Sequence, residues 1–236
     1  KVDDKSNEMT AIPELLRVLE IKGCIVTIDA MGCQKEIAAH IADKKADYVL
    51  ALKGNHATFH EEVQEFFTDA VPPCATQCAK TVRPATMDFF QTIEKGHGRI
   101  ETRRYWQSTD IDWFEDRRLW KQLHSIGMVE SIRRVRGKNT IERRYYLCSL
   151  SLDAKLFAKA VRNHWGVENP LHWTLDVTFR EDQSRARTKY AAQNLATLRR
   201  IALNLIKKNP RQKVSQRQKR ILAALDTSFL EQLLGI

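Results

Sequence analysis

The sequence predicts an α/β fold that is interrupted by a β-rich segment. Two short apolar runs flank an amphipathic stretch near the start, strand-like segments fill the middle, and helical periodicity returns at Asp153. A strand, a helix and a second strand within about 30 residues form a βαβ unit with parallel strands. With 236 residues, 43% of them hydrophobic, the chain can bury the core of one large domain with an insertion.

The first segment, residues 1–67, carries the βαβ unit. A helix is predicted over residues 10–20, a buried strand over 24–30, a helix over 34–44 and a second buried strand over 47–53. Asp29 therefore lies at the carboxyl end of a strand, where open α/β sheets collect ligands.

The second segment, residues 68–152, is predicted to be a loop followed by a β-rich insertion. Three of the six prolines fall within residues 68–84. Strand patterns then occur at residues 100–107, 125–135 and 140–149, and Gly137, Lys138 and Asn139 resemble a hairpin turn.

The third segment, residues 153–208, is predicted to be helical. Asp153 is a good N-cap, and Phe157, Val161, His164 and Glu168 fall on one helical face. Burial of a lone carboxylate costs several kcal/mol unless it is paired or binds a metal. A long helix follows over residues 188–208, with an apolar stripe made of Leu195, Leu198, Ala202 and Leu205.

The charge balance favours a polyanionic partner. The chain has 39 Lys and Arg against 29 Asp and Glu, which gives +10 and a pI near 9.5. Residues 199–220 include nine basic and no acidic side chains, and a second basic cluster occupies residues 133–144. The final segment, residues 209–236, is interpreted as a basic tail. A merely solvated surface is the alternative to nucleic-acid contact.

No apolar run approaches the roughly 20 residues that a membrane span needs, and the start of the chain is polar. We therefore expect a cytoplasmic protein whose five cysteines are reduced. The spacing of Cys74 and Cys78 would suit a metal ion, but no second pair matches it. Two incidental loop thiols are the favoured interpretation.

Asp29 and Glu168 are the candidate catalytic residues on physical grounds. Divalent cations such as Mg²⁺ bind a few carboxylates on rigid elements and keep open positions for water and phosphate oxygens. Two structural alternatives stay open. Asp29 could cap the following helix, and Glu168 could pair with Arg162 or Arg180.

Several motifs occur in a characteristic order. They are Asp-Ala-Met-Gly-Cys-Gln-Lys at residues 29–35, Leu-Lys-Gly-Asn at 52–55, Gly-His-Gly-Arg-Ile-Glu-Thr-Arg at 96–103, Arg-Asn-His-Trp-Gly-Val-Glu-Asn at 162–169, Leu-His-Trp-Thr-Leu-Asp at 171–176, Arg-Glu-Asp at 180–182 and Asn-Leu-Ala at 194–196. Over nearly the whole chain, the sequence resembles the H-repeat-associated insertion-sequence transposases. These are a bacterial branch of the DDE superfamily with an RNase H-like (retroviral-integrase-like) fold.

The resemblance implies metal-dependent hydrolysis and strand transfer of DNA during transposition, with Asp29 as the second catalytic Asp and Glu168 as the catalytic Glu. It implies Mg²⁺ or Mn²⁺ as the cofactor, with two ions in the complete protein. Transposon-end and target DNA would be the partners, a homodimer would form in the transposition complex, and the protein would be associated with the nucleoid. The family's first Asp is expected upstream of Lys1, so the fold is interpreted as N-terminally truncated.

Further residues are candidates for DNA contact. His97, Arg99 and Arg103 lie in a Gly-flanked motif that could contact phosphate or could form a structural turn. The other candidates lie near Glu168 or on the long helix: Arg162, His164, Trp165, His172, Arg199, Arg200, Lys207 and Lys208.

Two departures from the family pattern qualify these expectations. Without the first Asp, little or no strand cleavage is expected of this polypeptide alone, and a catalytically inactive DNA-binding remnant is the alternative function. In addition, Val161, His164 and Leu175 stand where related branches carry Tyr, Arg and Lys. These three residues do not supply the phosphate-binding groups of the related branches, although Arg162 could serve in their place.

Overall fold

The computed structural model describes residues 8–71, 84–96, 98–167, 171–210 and 214–236. The fold is mixed α/β, as predicted, with one open six-stranded sheet of order β1-β2-β6-β5-β4-β3. The chain divides into two compact units, Val2–His164 and Trp165–Ile236, and each is described by itself.

The first unit contains the whole sheet. Its elements in chain order are α1 (Glu8–Val18), β1 (Ile25–Ile28), α2 (Lys35–Asp43), β2 (Asp47–Leu52), α3 (Ala57–Ala70), β3 (Met87–Gly96), β4 (Arg99–Ser108), β5 (Ser125–Val135), β6 (Lys138–Cys148) and most of α4 (Ala154–Val167). The second unit is helical, with a π-helical turn at Thr174–Thr178 followed by α5 (Ala191–Lys208), α6 (Gln216–Leu225) and α7 (Thr227–Leu234).

The βαβ unit forms as the sequence predicts. β1 and β2 are parallel neighbours, with Thr27 opposite Val49, and α2 connects them. Ile37 and Ile41 of α2 are fully buried against the sheet because the helix presents one apolar face to it. The carboxyl ends of both strands therefore meet at one edge of the fold.

The β-rich segment continues the same sheet. β6 pairs antiparallel with β2, and β5, β4 and β3 follow in antiparallel order. Arg136 and Gly137 both have positive φ and form the β5–β6 turn, as a two-residue hairpin requires. The predicted turn at residues 137–139 was therefore placed one residue too late, because β6 already begins at Lys138.

The long hairpins project beyond the end of β2. Leu52 at the carboxyl end of β2 lies opposite Tyr145, and β6 continues from there to Lys138. These seven residues (145 − 138) span about 24 Å at the usual rise per residue of a strand. Because Arg99 of β4 lies opposite Val135 of β5, the β3–β4 turn lies at the same end of the sheet.

Helices cover both faces of the sheet. Tyr145 stacks on Phe67 of α3, whereas the next residue, Tyr146, meets Phe157 of α4 edge-on. Successive strand residues face opposite sides, so α3 and α4 pack on opposite faces. Phe157 is fully buried over Gly127 of β5, where a Cβ atom would lie 2.5 Å from its ring.

The start of α4 is held by hydrogen bonds from the sheet. The side chain of Asp88 accepts the backbone N–H of Ala154, and that of buried Gln107 accepts the N–H of Asp153. The Asp153 carboxylate accepts the N–H of Leu156, which confirms the predicted N-cap. Phe157 and Val161 are buried and His164 is half-buried, as the helical periodicity predicts for these three residues.

In the second unit, α5 ends at Lys208 as predicted, but its buried face differs from the predicted stripe. Leu203 and Ile206 are buried, whereas Leu195 and Leu198 are exposed. The residues interpreted as a basic tail include two helices, α6 and α7. Among the described residues, no helix is long and apolar enough to cross a membrane.

We predict that Gly127→Ala destabilises the fold by about 1–3 kcal/mol, because the new methyl group overlaps the Phe157 ring. Urea unfolding followed by circular dichroism measures the change. Gly166→Ala is the matched control, since nothing lies within 4 Å of its Cβ position in α4 and alanine favours helix. A Gly127→Ala variant as stable as the wild type would contradict the tight packing of α4 on the sheet.

Candidate metal centre and nucleic-acid interface

Asp29 directly follows β1, and its side chain is exposed. One carboxylate oxygen accepts the backbone N–H of Met31 at 3.2 Å and so caps the short 3₁₀ turn Ala30–Gly32. The alternative from the sequence was a cap on the following helix, but Asp29 caps this turn instead and Gln34 is the N-cap residue of α2. Capping uses one oxygen of an exposed carboxylate, and it is compatible with a ligand at the other oxygen.

Close packing explains the glycine in the Asp-Ala-Met-Gly motif. A Cβ atom at Gly32 would lie 2.3 Å from the side chain of Ile28 and 3.0 Å from that of Ile12 in α1. The turn after Asp29 therefore sits directly on the end of β1. This contact sets the position of Asp29 at the strand end.

The loop after β2 braces the turn that follows Asp29. Asn55 donates from its side chain to the carbonyl oxygen of Ala30 at 2.6 Å, and the His56 ring is 2.7 Å from the carbonyl oxygen of Cys33. The sequence analysis gave neither residue a role. Their position in the Leu-Lys-Gly-Asn motif was the available signal, since carboxyl ends of adjacent parallel strands share an edge.

α4 contacts β1, the strand that precedes Asp29. It does so on the face of the sheet opposite to the face that α3 covers. Nδ1 of His164 lies 3.1 Å from the hydroxyl of Thr27 in β1. The backbone is still extended at Asp29, so the alternation of side chains puts Thr27 and Asp29 on the same side. The predicted site residue His164 therefore contacts the strand residue that lies two positions before Asp29.

Glu168 and His97 lie outside the described residues, so the surroundings of these two candidates carry no structural argument. Among the residues that the structure describes, no group of three His, Cys, Asp or Glu side chains is arranged to hold a metal ion. Asp29 fits a divalent cation as one exposed carboxylate ligand on a rigid strand end.

Arg103 and Arg162 share one carboxylate. Both donate to Glu94 of β3, at 2.9 and 3.1 Å, and Arg103 also pairs with Glu101 at 2.6 Å. Hydrogen bonding from Arg103, with the nearby positive charges, lowers the pKa of Glu94. The Arg103 side chain is only 12% exposed, so in this conformation it ties the β3–β4 hairpin together, and Arg162 ties α4 to that hairpin.

The basic residues of the hairpins fall into two groups. Near the middle of the ribbon, Arg104 and Arg143 both pair with buried Glu130. At the projecting end, five basic side chains are exposed and make no ion pair within the described part of the chain. We call this second group the tip cations: Lys95, Arg133, Arg134, Arg136 and Lys138. Arg99 lies beside them, 4.0 Å from Glu101.

The remaining predicted DNA contacts lie in the second unit. Trp165 and Arg199 are half-buried and His172 is exposed. Arg200 pairs with Glu181 at 3.3 Å. Lys207 and Lys208 are exposed in the last turn of α5, where positive charge stabilises the helix end.

The described cysteines include two that are buried in the first unit. Burial raises the pKa of the Cys33 thiol to about 12 and raises that of Cys148 as well, so both stay protonated at neutral pH. Cys24 is exposed. Cys74 and Cys78 lie outside the described residues.

Residues 1–205 match the family described as the transposase DDE domain. The chain belongs to this family. It is 41% identical over 239 residues to a protein of Escherichia coli O157:H7 named "Putative transposase YncI", covering all of this chain and 59% of that protein. It is also 38% identical over 240 residues to the "H repeat-associated putative transposase YhhI" of Escherichia coli K12, covering 61% of it.

The resemblance to H-repeat-associated transposases is thereby confirmed. The chain spans about three fifths of the length of these relatives. DDE transposase domains act on DNA with divalent metal ions, which agrees with the expected class of cofactor and partner.

We predict that Glu94→Gln lowers the free energy of unfolding at neutral pH, because it removes the ion pairs with Arg103 and Arg162. The loss should be no more than about 1 kcal/mol, since both pairs are partly exposed to solvent. The folded-state pKa of Glu94 is lowered, so its contribution is complete above the unfolded-state pKa. That contribution disappears as the pH falls through the folded-state pKa.

Urea unfolding of wild type and variant between neutral and acid pH tests this. The two curves should converge in acid. Glu231→Gln, which alters an exposed carboxylate beyond the first turn of α7 with no ion pair among the described residues, should give no such pH-dependent difference. A Glu94→Gln effect that is constant across the pH range would contradict the ion-pair explanation.

Proposed function

We propose that this chain is part of a DNA transposase that uses Asp29 and Glu168 to hold Mg²⁺ or Mn²⁺ for phosphodiester hydrolysis and strand transfer. The observation that carries the proposal is the shared edge of the sheet. Asp29 follows the carboxyl end of β1, and the tip cations project from the same end. A phosphate backbone held by the tip cations would thus run towards the exposed carboxylate.

The projecting ribbon suits duplex DNA in both length and charge. The ribbon extends about 24 Å beyond β2, which matches the length of about seven base pairs of duplex DNA. The tip cations have no carboxylate partners among the described residues, so phosphate contact would not require an ion pair to break. Arg99 belongs to this surface, and His97 is proposed from the sequence motif alone.

Each site residue has a different proposed role. Asp29 offers a carboxylate to the cation while its turn is braced by Asn55 and His56. His164, through Thr27, holds α4 beside β1. Glu168 is proposed from the family motif, four positions after His164 in the sequence.

Two divalent cations bound by such carboxylates would supply charge stabilisation for the attacking and leaving oxygens of a phosphodiester. The chain's own contribution is to orient the carboxylates and to bind the DNA backbone. We propose an RNase H-like core as the fold, a homodimer in the transposition complex and a place of action beside the chromosome in the bacterial cytoplasm.

The decisive variant for Asp29 is Asp29→Asn. Asparagine can accept the N–H of Met31 and cap the turn as aspartate does, but it lacks the negative charge that a cation needs. The assay measures nicking of supercoiled plasmid in Mn²⁺ by the protein that the longest open reading frame containing these residues encodes. The nicking rate should fall at least about 100-fold, as it does when other essential catalytic groups are removed.

The matched control is Asp110→Asn, which removes the charge of another exposed aspartate and should leave nicking unchanged. Glu168→Gln should match the loss seen in Asp29→Asn. Nicking that persists in both Asp29→Asn and Glu168→Gln would overturn the assignment of these carboxylates.

A further inference from the structure

Three arginines of the second unit surround one cleft. Arg180 follows the π-helical turn, and Arg217 and Arg220 lie one turn apart on α6. The cleft measures about 370 Å³, which is large enough for a phosphate group and its ester oxygens. Its other described walls are formed by Val177, Thr178 and Ile221.

The positive charge of this cleft is not neutralised by the described residues. None of its described lining residues is acidic, and the three arginines form no ion pair within the described part of the chain. Arg200, by contrast, pairs with Glu181 nearby in the sequence. Three like charges in one concavity repel each other, so the arrangement favours an anion.

The position of α6 is fixed by a buried lysine between the two arginines. Lys219 is 6% exposed and donates to the carbonyl oxygens of Ile206 at 3.4 Å and Asn209 at 2.8 Å, at the end of α5. A capping box of Ser215 and Gln218 fixes the first turn of α6. These contacts hold the helix that carries Arg217 and Arg220 against the end of α5.

Two of the three arginines are also individually constrained. The guanidinium of Arg220 lies 5.5 Å from the centre of the Phe179 ring, which limits its rotamers while leaving its donors available. Arg180 has a φ of 54°, a left-handed backbone that costs energy for a residue other than glycine. The ring contact restricts the side chain of Arg220, and the left-handed backbone sets the direction in which the side chain of Arg180 leaves the chain.

We propose that Arg180, Arg217 and Arg220 bind a backbone phosphate of duplex DNA. The planar guanidinium group donates two parallel hydrogen bonds to phosphate oxygens, which explains arginine rather than lysine at all three positions. This contact rests on the proposed function, because the ligand is the DNA on which the proposed transposase acts. It is separate from the tip cations, which belong to the first unit.

The experiment is duplex binding by fluorescence anisotropy with the 236-residue chain, in EDTA and over a series of salt concentrations. Arg217→Gln/Arg220→Gln should weaken binding roughly tenfold, as for loss of charge-assisted hydrogen bonds. It should also reduce the slope of log affinity against log salt by about one. Arg180→Gln should change both quantities in the same direction.

The matched control is Arg185→Gln/Lys189→Gln, which removes two positive charges from exposed residues of the same unit outside the cleft. It should have a smaller effect on affinity and no effect on the slope beyond general charge loss. Equal melting temperatures by circular dichroism establish that all variants are folded.

An unchanged affinity and slope in Arg217→Gln/Arg220→Gln, or an equal loss in the control, would overturn the cleft as a phosphate site. Because the assay contains EDTA, this result is independent of the metal site and leaves the nicking experiment to judge Asp29. A wild-type chain that binds no duplex would overturn the cleft as a DNA site, whereas the proposed function is decided by the nicking experiment.

Discussion

The contact between Phe157 and Gly127 determines where α4 lies on the sheet. The ring occupies the space that any larger residue at position 127 would need, so α4 packs this closely on β5 because that position is glycine. Further polar contacts then set its direction. Gln107 holds its start, Glu94 pairs with Arg162 near its end, and Thr27 meets His164 on β1. The position of α4 beside Asp29 follows from this chain of contacts.

The continuity of the sheet determines which features lie at the edge that carries Asp29. Because β6 pairs antiparallel with β2, the direction in which β1 and β2 end is also the direction in which the hairpins project. Charge is sorted along these hairpins. Glu130, Glu94 and Glu101 pair with arginines along the ribbon, whereas the tip cations make no ion pair among the described residues. Ion pairs therefore stabilise the ribbon where it is packed and leave its tip available for phosphate.

Local patterns predicted the parts of this structure that depend on local physics. Apolar periodicity gave the βαβ unit and the buried face of α4, since burial of alternate or every third to fourth residue dictates both. The stripe on α5 was wrong in detail because apolar residues occupy several sides of that helix, and periodicity does not choose among them. The pairing of Arg162 with Glu94 joins residues far apart in the chain, and so does the approach of Arg180 to α6. No spacing rule brings such residues together.

The proposed function depends on the binding of a divalent cation by Asp29 at the end of β1. Paramagnetic broadening of backbone amide signals by substoichiometric Mn²⁺ tests it directly, because the effect falls steeply with distance from the ion. We expect the amide signals of Ala30, Met31 and Gly32, which form the turn capped by Asp29, to broaden before those of the rest of the first unit. Selective broadening elsewhere, with the Ala30–Gly32 amides unaffected, would contradict it.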